Sequence, residues 1–464
     1  MQTPDAPTWT PVTEQKLNHG RFENFTVYTP HATPRGFVLL LSGADGWNQG
    51  MSDMARRLAQ QGAMVAGIDV AQLNAKLEAD GAQCVFPDGD LENLSHFVQA
   101  YYRLPTYLNP VLAGYSAGAT LAYATLAQAP TDTFAGAVSM EFCPGYTSPK
   151  HLCKSSGLDF TPHTGDSGVD FLPSRRIVNP WIVLQGKDQA AAAGETQSCD
   201  AAAVRSFVAQ VPNAQLIVVP DGGTEASPLR GWAPQYAAAF DSLMARTHPG
   251  TPAAAPGALG DLPIVAIAAQ GGTTPSDMFA VMLSGDGGWA GLDKDVAGAL
   301  AANGIPVVGL DSLRYFWSAR SPEGLGADLD RMIRYSLTQL GKQRVVLIGY
   351  SQGADVLPFA VNRLSPAVRS HVALVAIMGM SEHALFEFHV ASWISDDNSG
   401  PATLPEVDRI SGIPVLCIYG EEETDSLCPK LDPHKFSIVK LKGGHHFDGN
   451  YESLARTILA SARH

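Results

Sequence analysis

Short apolar runs alternate with amphipathic stretches along the whole chain. Two of the clearest runs, Phe37 to Leu41 and Phe279 to Leu283, are each followed by a glycine-rich turn and then by a helical pattern. Val, Ile and Leu runs of this length, separated by amphipathic segments, are typical of a mostly parallel β-sheet covered by helices on both faces. The pattern therefore predicts an α/β fold with its functional loops at the carboxyl ends of the strands.

The two halves of the chain repeat one plan. The segment FVLLLSGADGW (Phe37 to Trp47) matches FAVMLSGDGGW (Phe279 to Trp289) almost residue for residue, and Ser116 and Ser351 follow these tryptophans by 69 and 62 residues. Between the halves, residues 247–261 are rich in Pro, Ala and Gly and lack periodicity, as expected of a linker. We predict two tandem domains of one fold, over residues 1–246 and 262–464.

Composition and charge narrow the classes of function. Hydrophobic residues make up 45% of the chain and charged residues 16%, which is an ordinary globular composition. The net charge of -14 argues against nucleic acid as a partner. No apolar run reaches the roughly 18 to 20 residues that span a bilayer. The six cysteines suit disulfides or free thiols equally well, so composition leaves export open.

A nucleophile motif lies in the second half. Gly349-Tyr350-Ser351-Gln352-Gly353 follows an apolar strand and precedes a helical segment. A G-x-S-x-G sequence in this setting is the nucleophile elbow of the α/β-hydrolase fold, in which the glycines permit a sharp turn and the serine is exposed at a helix N-terminus. We predict that Ser351 is a catalytic nucleophile and that the backbone N–H of Gln352 stabilises an oxyanion.

The acid of the site is expected on the loop after the strand Pro414 to Gly420, because this fold supplies its acid before its histidine. Counting forward from Gly420 favours Glu423, whereas counting back from Pro429 favours Asp425. The first half reads Glu195-Thr196-Gln197-Ser198 where the second reads Glu423-Thr424-Asp425-Ser426, so an amide stands in place of Asp425. We favour Asp425, with Glu423 as the alternative.

The base is expected in the last loop, which reads Gly443-Gly444-His445-His446-Phe447. His446 precedes an aromatic residue, as the catalytic histidine of this fold often does, while His445 directly follows the glycine pair. We favour His446, with His445 as the alternative. Adjacent histidines lack the helical spacing of zinc ligands, so we predict no metal and no cofactor.

A second oxyanion donor is expected after the first long strand of the domain, where the chain reads Ser284-Gly285-Asp286-Gly287-Gly288. Glycines let backbone N–H groups approach a bound carbonyl closely, and we favour the N–H of Asp286. The carboxylate of Asp286 suits a helix-capping role equally well.

The first half keeps the elbow Gly114-Tyr115-Ser116-Ala117-Gly118 but lacks the rest of the site. Its last loop, Asp221 to Ala226, holds no histidine, and Gln197 stands at the acid position. A serine without a base is a poor nucleophile, so we predict that Ser116 is a relic in a degenerate domain. His151 or His163 would be the residues to replace the base.

Four motifs of the second half resemble a known family. They are LSGDGGW (Leu283 to Trp289), DSLRYFW (Asp311 to Trp317), GYSQGADVLPFAVNRL (Gly349 to Leu364) and GGHHFDG (Gly443 to Gly449). Together they resemble the bacterial VirJ and AcvB virulence-associated proteins, and two related halves are similar to AcvB. The resemblance implies a periplasmic protein with two or three disulfides.

What the resemblance implies for function is hydrolysis of aminoacyl-phosphatidylglycerols, the lysyl or alanyl esters that alter membrane charge. Ester cleavage suits a Ser-acid-His site. The partner would then be a membrane phospholipid met at the bilayer surface, with secretion-system proteins as further partners. Two alternatives are a non-catalytic docking factor for type IV secretion and an esterase or thioesterase for soluble substrates.

Overall fold

The structure is a computed structural model of the chain, and it divides into two compact units. The first domain comprises Met1–Leu104 and Leu108–Pro249, and the second comprises Pro105–Tyr107 and Gly250–His464. The residues that the structure describes are 12–79, 84–131, 133–148, 150–163, 168–186, 201–219, 229, 231–247, 259–270, 276–289, 291–388 and 400–462. Most of the predicted linker, residues 248–258, lies outside them, and Thr247 is the last residue of a helix.

The first domain contains an eight-stranded sheet in the order β1-β2-β4-β3-β5-β6-β10-β11. Pairing is antiparallel for β1 with β2 and for β2 with β4, and it is parallel from β4 to β11. Strands β7, β9 and β8 form a separate three-stranded sheet. The strands are β1 (Thr13–His19), β2 (Phe22–Thr29), β3 (Gly36–Leu41), β4 (Ala63–Ile68), β5 (Val111–Tyr115), β6 (Gly136–Met140), β7 (Gly145–Thr147), β8 (Phe160–Pro162), β9 (Gly168–Phe171), β10 (Trp181–Gly186) and β11 (Ala214–Val219). The helices are α1 (Gln49–Gln60), α2 (Val70–Glu78), α3 (Pro87–Tyr101), α4 (Ala117–Gln128), α5 (Ala201–Val208) and α6 (Ala233–Thr247).

The second domain contains a seven-stranded sheet in the order β12-β14-β13-β15-β16-β17-β18. Only the edge pairing of β12 with β14 is antiparallel among these strands. The strands are β12 (Ile264–Ile267), β13 (Met278–Leu283), β14 (Val307–Leu310), β15 (Arg344–Tyr350), β16 (Val372–Met378), β17 (Val415–Gly420) and β18 (Ser437–Leu441). The helices are α7 (Gly291–Ala302), α8 (Ser312–Tyr315), α9 (Pro322–Leu340), α10 (Gln352–Val361), α11 (Pro366–Arg369), α12 (Leu404–Arg409) and α13 (Tyr451–Ala462). The predicted α/β class is confirmed.

The central strands are continuous apolar runs because helices cover both of their faces. Every residue of β3, β4 and β13 is buried, and successive side chains of β13 enter two different cores, with Phe279 and Val281 on one face and Ala280 and Met282 on the other. Helix α9 shows how local sequence sets a boundary. The Ser321 hydroxyl caps its first turn by accepting the N–H of Gly324, and Gly341 ends it at a φ of 60°.

The repeat in the sequence is a repeat in the structure. Apart from the edge strand β1, the strands of the first sheet follow the same order as those of the second, and the serine elbows lie after the equivalent strands β5 and β15. In each domain a tryptophan packs on a glycine of the neighbouring strand. A Cβ at Gly67 would collide with Trp47, and a Cβ at Gly309 would collide with Trp289.

Two disulfides are described, Cys84–Cys153 in the first domain and Cys417–Cys428 in the second. Cys143 is also disulfide-bonded, and Cys199 lies outside the described residues. The Cys417–Cys428 bridge joins β17 to a short 3-10 helix, Cys428–Lys430, and so encloses the loop that carries both candidate acids. Within the described part of the chain, no helix has both the length and the apolar character needed to cross a bilayer.

Candidate active site

Ser351 occupies a sharp turn between β15 and α10. Its backbone is left-handed, with φ 51° and ψ −121°, which is a strained conformation for a residue with a side chain. Two glycines make the turn feasible, because a Cβ at Gly349 would collide with the carbonyl of Gly353, and a Cβ at Gly353 would collide with the carbonyl of Leu283. The predicted elbow geometry is present, and the backbone N–H of Gln352 begins the helix directly after the serine.

Glu423 and His445 form a hydrogen-bonded pair in the second domain. His445 Nδ1 lies 2.5 Å from Glu423 Oε1, and the other carboxylate oxygen accepts the backbone N–H of Gly420 at 2.5 Å. The Glu423 side chain is 5% exposed and the His445 side chain 39%. Burial by itself raises the pKa of Glu423, but the hydrogen bonds from His445 and from the Gly420 N–H hold it below its usual value.

The structure therefore pairs the two alternatives of the sequence analysis rather than the favoured residues. Asp425 is exposed and makes no side-chain hydrogen bond to His445 or His446 among the described residues. Glu423 is brought inward by a tight turn in which its N–H donates to the carbonyl of Gly420 at 3.1 Å. The first-half loop used to favour Asp425, residues 195–198, lies outside the described residues.

His446 contacts Tyr350 and, among the described residues, makes no hydrogen bond to Glu423. Its Nδ1 lies 3.1 Å from the Tyr350 hydroxyl, which also donates to the carbonyl of His445 at 3.3 Å. Desolvation by the surrounding loop and then the charge of His445 lower the pKa of His446. Burial raises the pKa of Tyr350, so its hydroxyl stays protonated and serves as a donor. Sequence reasoning missed this tyrosine, although a G-Y-S sequence marks both elbows.

Gly379 lies next to both the histidine ring and the backbone segment that is hydrogen-bonded to the nucleophile. The N–H of Ser351 donates to the carbonyl of Met378 at 2.9 Å, and a Cβ on the next residue, Gly379, would lie 2.7 Å from His445 Cε1. The His445 imidazole thus lies against Gly379, the residue directly after Met378, and Met378 is hydrogen-bonded to Ser351. The rings of Tyr350 and His445 are also neighbours, with centroids 5.2 Å apart.

The glycine-rich turn after β13 also borders the serine. A Cβ at Gly285 would be 3.4 Å from Ser351 Cβ, and the turn is closed by the N–H of Gly288, which donates to the carbonyl of Gly285 at 3.1 Å. Burial raises the pKa of Asp286. The N–H groups of Asp286 and Gly287 and the charge of His445 each lower this pKa, but burial outweighs them. The Asp286 carboxyl group is therefore electrostatically coupled to the histidine pair.

Asp355 is a buried carboxyl group four residues after the nucleophile. It accepts the backbone N–H of Ser381 at 2.6 Å, and burial raises its pKa well above the usual value. The charges of Asp286 and Asp425 raise it further. Asp355 was not among the predicted site residues, although a lone acid among the apolar residues of α10 is the signal that identifies it.

The described residues contain no group of three or more His, Cys, Asp or Glu that could hold a metal ion. The geometry thus consists of an elbow serine, a histidine held by a buried carboxylate, and a glycine-rich turn that borders the serine.

The first domain keeps the serine geometry. Ser116 has φ 52° and ψ −119°, and its N–H donates to the carbonyl of Met140 at 2.8 Å. The positions compared with the acid and the base, Gln197 and the loop 221–226, lie outside the described residues. His163 is within 3.3 Å of Asp170 on the three-stranded sheet, and His151 stacks on Phe160.

The second domain matches a known family. Residues 277–464 match the family model described as bacterial virulence protein (VirJ). The second domain is VirJ-like. The resemblance predicted from the four motifs is confirmed over these residues, which include the elbow, Glu423 and His445.

Several solved structures are similar in fold to part of the chain. The esterase domain of a Rhodothermus marinus protein has 12% identity and a TM-score of 0.33, covering 51% of this chain and 99% of its own. MenH from S. aureus has 12% identity and a TM-score of 0.30, covering 43% and 99%. A proline iminopeptidase from Mycobacterium smegmatis has 13% identity and a TM-score of 0.30, covering 43% and 95%. No curated protein matches the chain in sequence.

Proposed function

We propose that the VirJ-like domain is a serine esterase in which Ser351 is the nucleophile, His445 the base and Glu423 the acid. The observation that carries the proposal is the 2.5 Å hydrogen bond between His445 Nδ1 and Glu423 Oε1, in a loop that packs beside a nucleophile elbow. A histidine held at Nδ1 by a buried carboxylate presents Nε2 to a substrate and a serine. This assignment replaces the one favoured from the sequence, Asp425 and His446.

The chemistry follows from these positions. Ser351 Oγ attacks the ester carbonyl while His445 Nε2 takes the hydroxyl proton, and Glu423 stabilises the resulting imidazolium. The N–H of Gln352 stabilises the oxyanion. The second donor predicted from the sequence, the N–H of Asp286, bears on its own carboxyl group in this structure. His445 then protonates the departing alcohol oxygen, which leaves an acyl-enzyme on Ser351. Water, deprotonated by His445, releases the acid and restores the serine.

For the substrate we infer an aminoacyl-phosphatidylglycerol in the periplasm. The VirJ resemblance supports this class, and the two described disulfides suit an oxidising compartment.

The test compares vesicles containing lysyl- or alanyl-phosphatidylglycerol with a short soluble ester, using the full chain and its Ser351→Ala variant as the matched control. We expect the wild type to release the free amino acid from vesicles and the variant to release none. Turnover of the soluble ester alone would instead identify an esterase for soluble substrates. If the folded wild type cleaved neither, the docking alternative would replace the esterase.

A further inference from the structure

Gly379 lies where a side chain and the His445 imidazole would compete for the same space. Its backbone is left-handed, with φ 63°, and its N–H donates to the carbonyl of Ile418 at 2.9 Å. A Cβ on this residue would lie 2.7 Å from His445 Cε1 and 2.9 Å from Nδ1, both closer than van der Waals contact allows. The ring has little freedom to retreat, since Nδ1 is held by Glu423.

The first domain has a glutamate at the equivalent position. Glu141 follows β6 as Gly379 follows β16, and its N–H donates to the carbonyl of Leu184 at 3.0 Å, the counterpart of the bond to Ile418. Its φ is 54°, so it keeps the left-handed conformation despite having a side chain. The fold therefore accepts a side chain at this position when no imidazole has to lie against it.

We propose that the residue directly after β16, or after its counterpart β6, determines whether a histidine can take the position of a general base beside the elbow serine. Gly379 is then a positioning residue that leaves space for the His445 ring, whereas Glu141 carries a side chain at the corresponding backbone position after β6. The first domain is thus closed to a catalytic imidazole independently of the sequence of its last loop. The inference rests on the proposed function, because it assumes that His445 is the base.

The direct test is Gly379→Ala, with Gly412→Ala as the matched control. Gly412 also has a positive φ, 71°, but a Cβ there would meet nothing within 4 Å. The control therefore has the backbone strain of an alanine at positive φ without a side-chain collision. We expect Gly379→Ala to lower kcat about 100-fold with little change in KM, because displacing a catalytic group by about 1 Å costs roughly that factor. Gly412→Ala, and Glu141→Gly in the first domain, should keep wild-type kcat.

A spectroscopic readout separates displacement of the ring from a general loss of stability. The proton on His445 Nδ1 that is shared with Glu423 should give a strongly downfield proton resonance in the wild type and in Gly412→Ala. Gly379→Ala should lose this resonance while its fold is kept. Wild-type kcat together with an unchanged resonance in Gly379→Ala would overturn the inference.

A double variant covers the case in which Gly379→Ala folds poorly. If the cost arises from the imidazole, Gly379→Ala should lower Tm no more than Gly412→Ala does when both are made in a His445→Ala background. An unrelieved loss of Tm in that background would show that the collision lies elsewhere and would overturn the inference. His445→Ala by itself tests the proposed function: retained turnover would refute the base assignment, whatever Gly379→Ala does.

Discussion

His445 Nδ1 is joined to Glu423 Oε1 at 2.5 Å, and this single hydrogen bond distinguishes two neighbouring histidines and two neighbouring carboxylates. Glu423 is buried, whereas Asp425 is exposed in the same loop. The loop itself is enclosed by the Cys417–Cys428 disulfide, so the acid is held from both ends of its segment. The following predictions test the site that this pairing defines.

The acid assignment is tested by Glu423→Gln and Asp425→Asn in parallel. An amide keeps the shape of the carboxylate but cannot stabilise the imidazolium, so Glu423→Gln should lower kcat on a small soluble ester by about 10²- to 10⁴-fold. Asp425→Asn should stay within a few-fold of wild type because it makes no hydrogen bond to His445 among the described residues. A larger loss from Asp425→Asn than from Glu423→Gln would contradict the pairing.

The base assignment is tested by His445→Ala and His446→Ala, with kcat measured on the same ester. We expect a loss of about 10³-fold or more from His445→Ala, because Ser351 then lacks a general base. His446→Ala should cost far less, since its Nδ1 contacts Tyr350 and not the acid. Equal losses from the two variants would show that both histidines take part in proton transfer.

The Tyr350 hydroxyl should matter for positioning of the histidine loop. Tyr350→Phe removes the donor to the His445 carbonyl and the contact with His446, so we expect kcat to fall about tenfold with KM nearly unchanged. Tyr115→Phe, at the same place in the first elbow, is the matched control and should leave kcat unchanged. A kcat for Tyr350→Phe equal to that of the control would remove the tyrosine from the site.

The two elbow serines should differ in reactivity although their backbone conformations agree. A fluorophosphonate probe, which reacts with activated serines, should label Ser351 and spare Ser116, and mass spectrometry of the labelled peptides measures both. Ser351→Ala should lower turnover about a thousandfold or more, whereas Ser116→Ala should leave it nearly unchanged. Strong labelling of Ser116 would show that the first domain holds a working site.

Asp355 should make stability fall as the pH rises. Because its pKa is raised in the folded state, only the unfolded chain loses this proton as the pH rises above about 4. The free energy of unfolding therefore falls with rising pH until the pH passes the folded pKa of Asp355. Asp355→Asn keeps an acceptor for the Ser381 N–H but does not titrate. The variant should therefore gain free energy of unfolding relative to wild type between pH 4 and pH 7, measured by urea denaturation.

Asp330 is a control for this experiment because its pKa is shifted in the opposite direction, downwards, in the folded state. Hydrogen bonds from Ser365 and Arg334 outweigh burial and lower its pKa in the folded state. Its ionisation therefore stabilises the fold above the unfolded pKa of about 4 and the contribution is lost as the pH falls through the folded pKa. Asp330→Asn should be less stable than wild type at pH 7, and the difference should shrink as the pH falls below about 4. If Asp355→Asn and wild type showed parallel pH curves, Asp355 would be ionised in the folded protein.

The sequence by itself determined the α/β class, the repeat and the position of the elbow. These depend on local patterns: apolar runs form buried strands, and two glycines around a serine permit one sharp turn. The pairs of candidates for acid and base were also visible, because chain order in this fold restricts each to a single loop.

Only the tertiary structure decided which member of each pair faces the site. Adjacent residues in a loop point in different directions, and the loop conformation depends on distant contacts. Here the glycine pair before His445 packs against Gly420, because a Cβ at Gly420 would collide with the carbonyls of Gly443 and Gly444. Tyr350 contacts His446, and Gly379 leaves space for the ring of His445. These contacts join segments far apart in the chain, so no local pattern contains them.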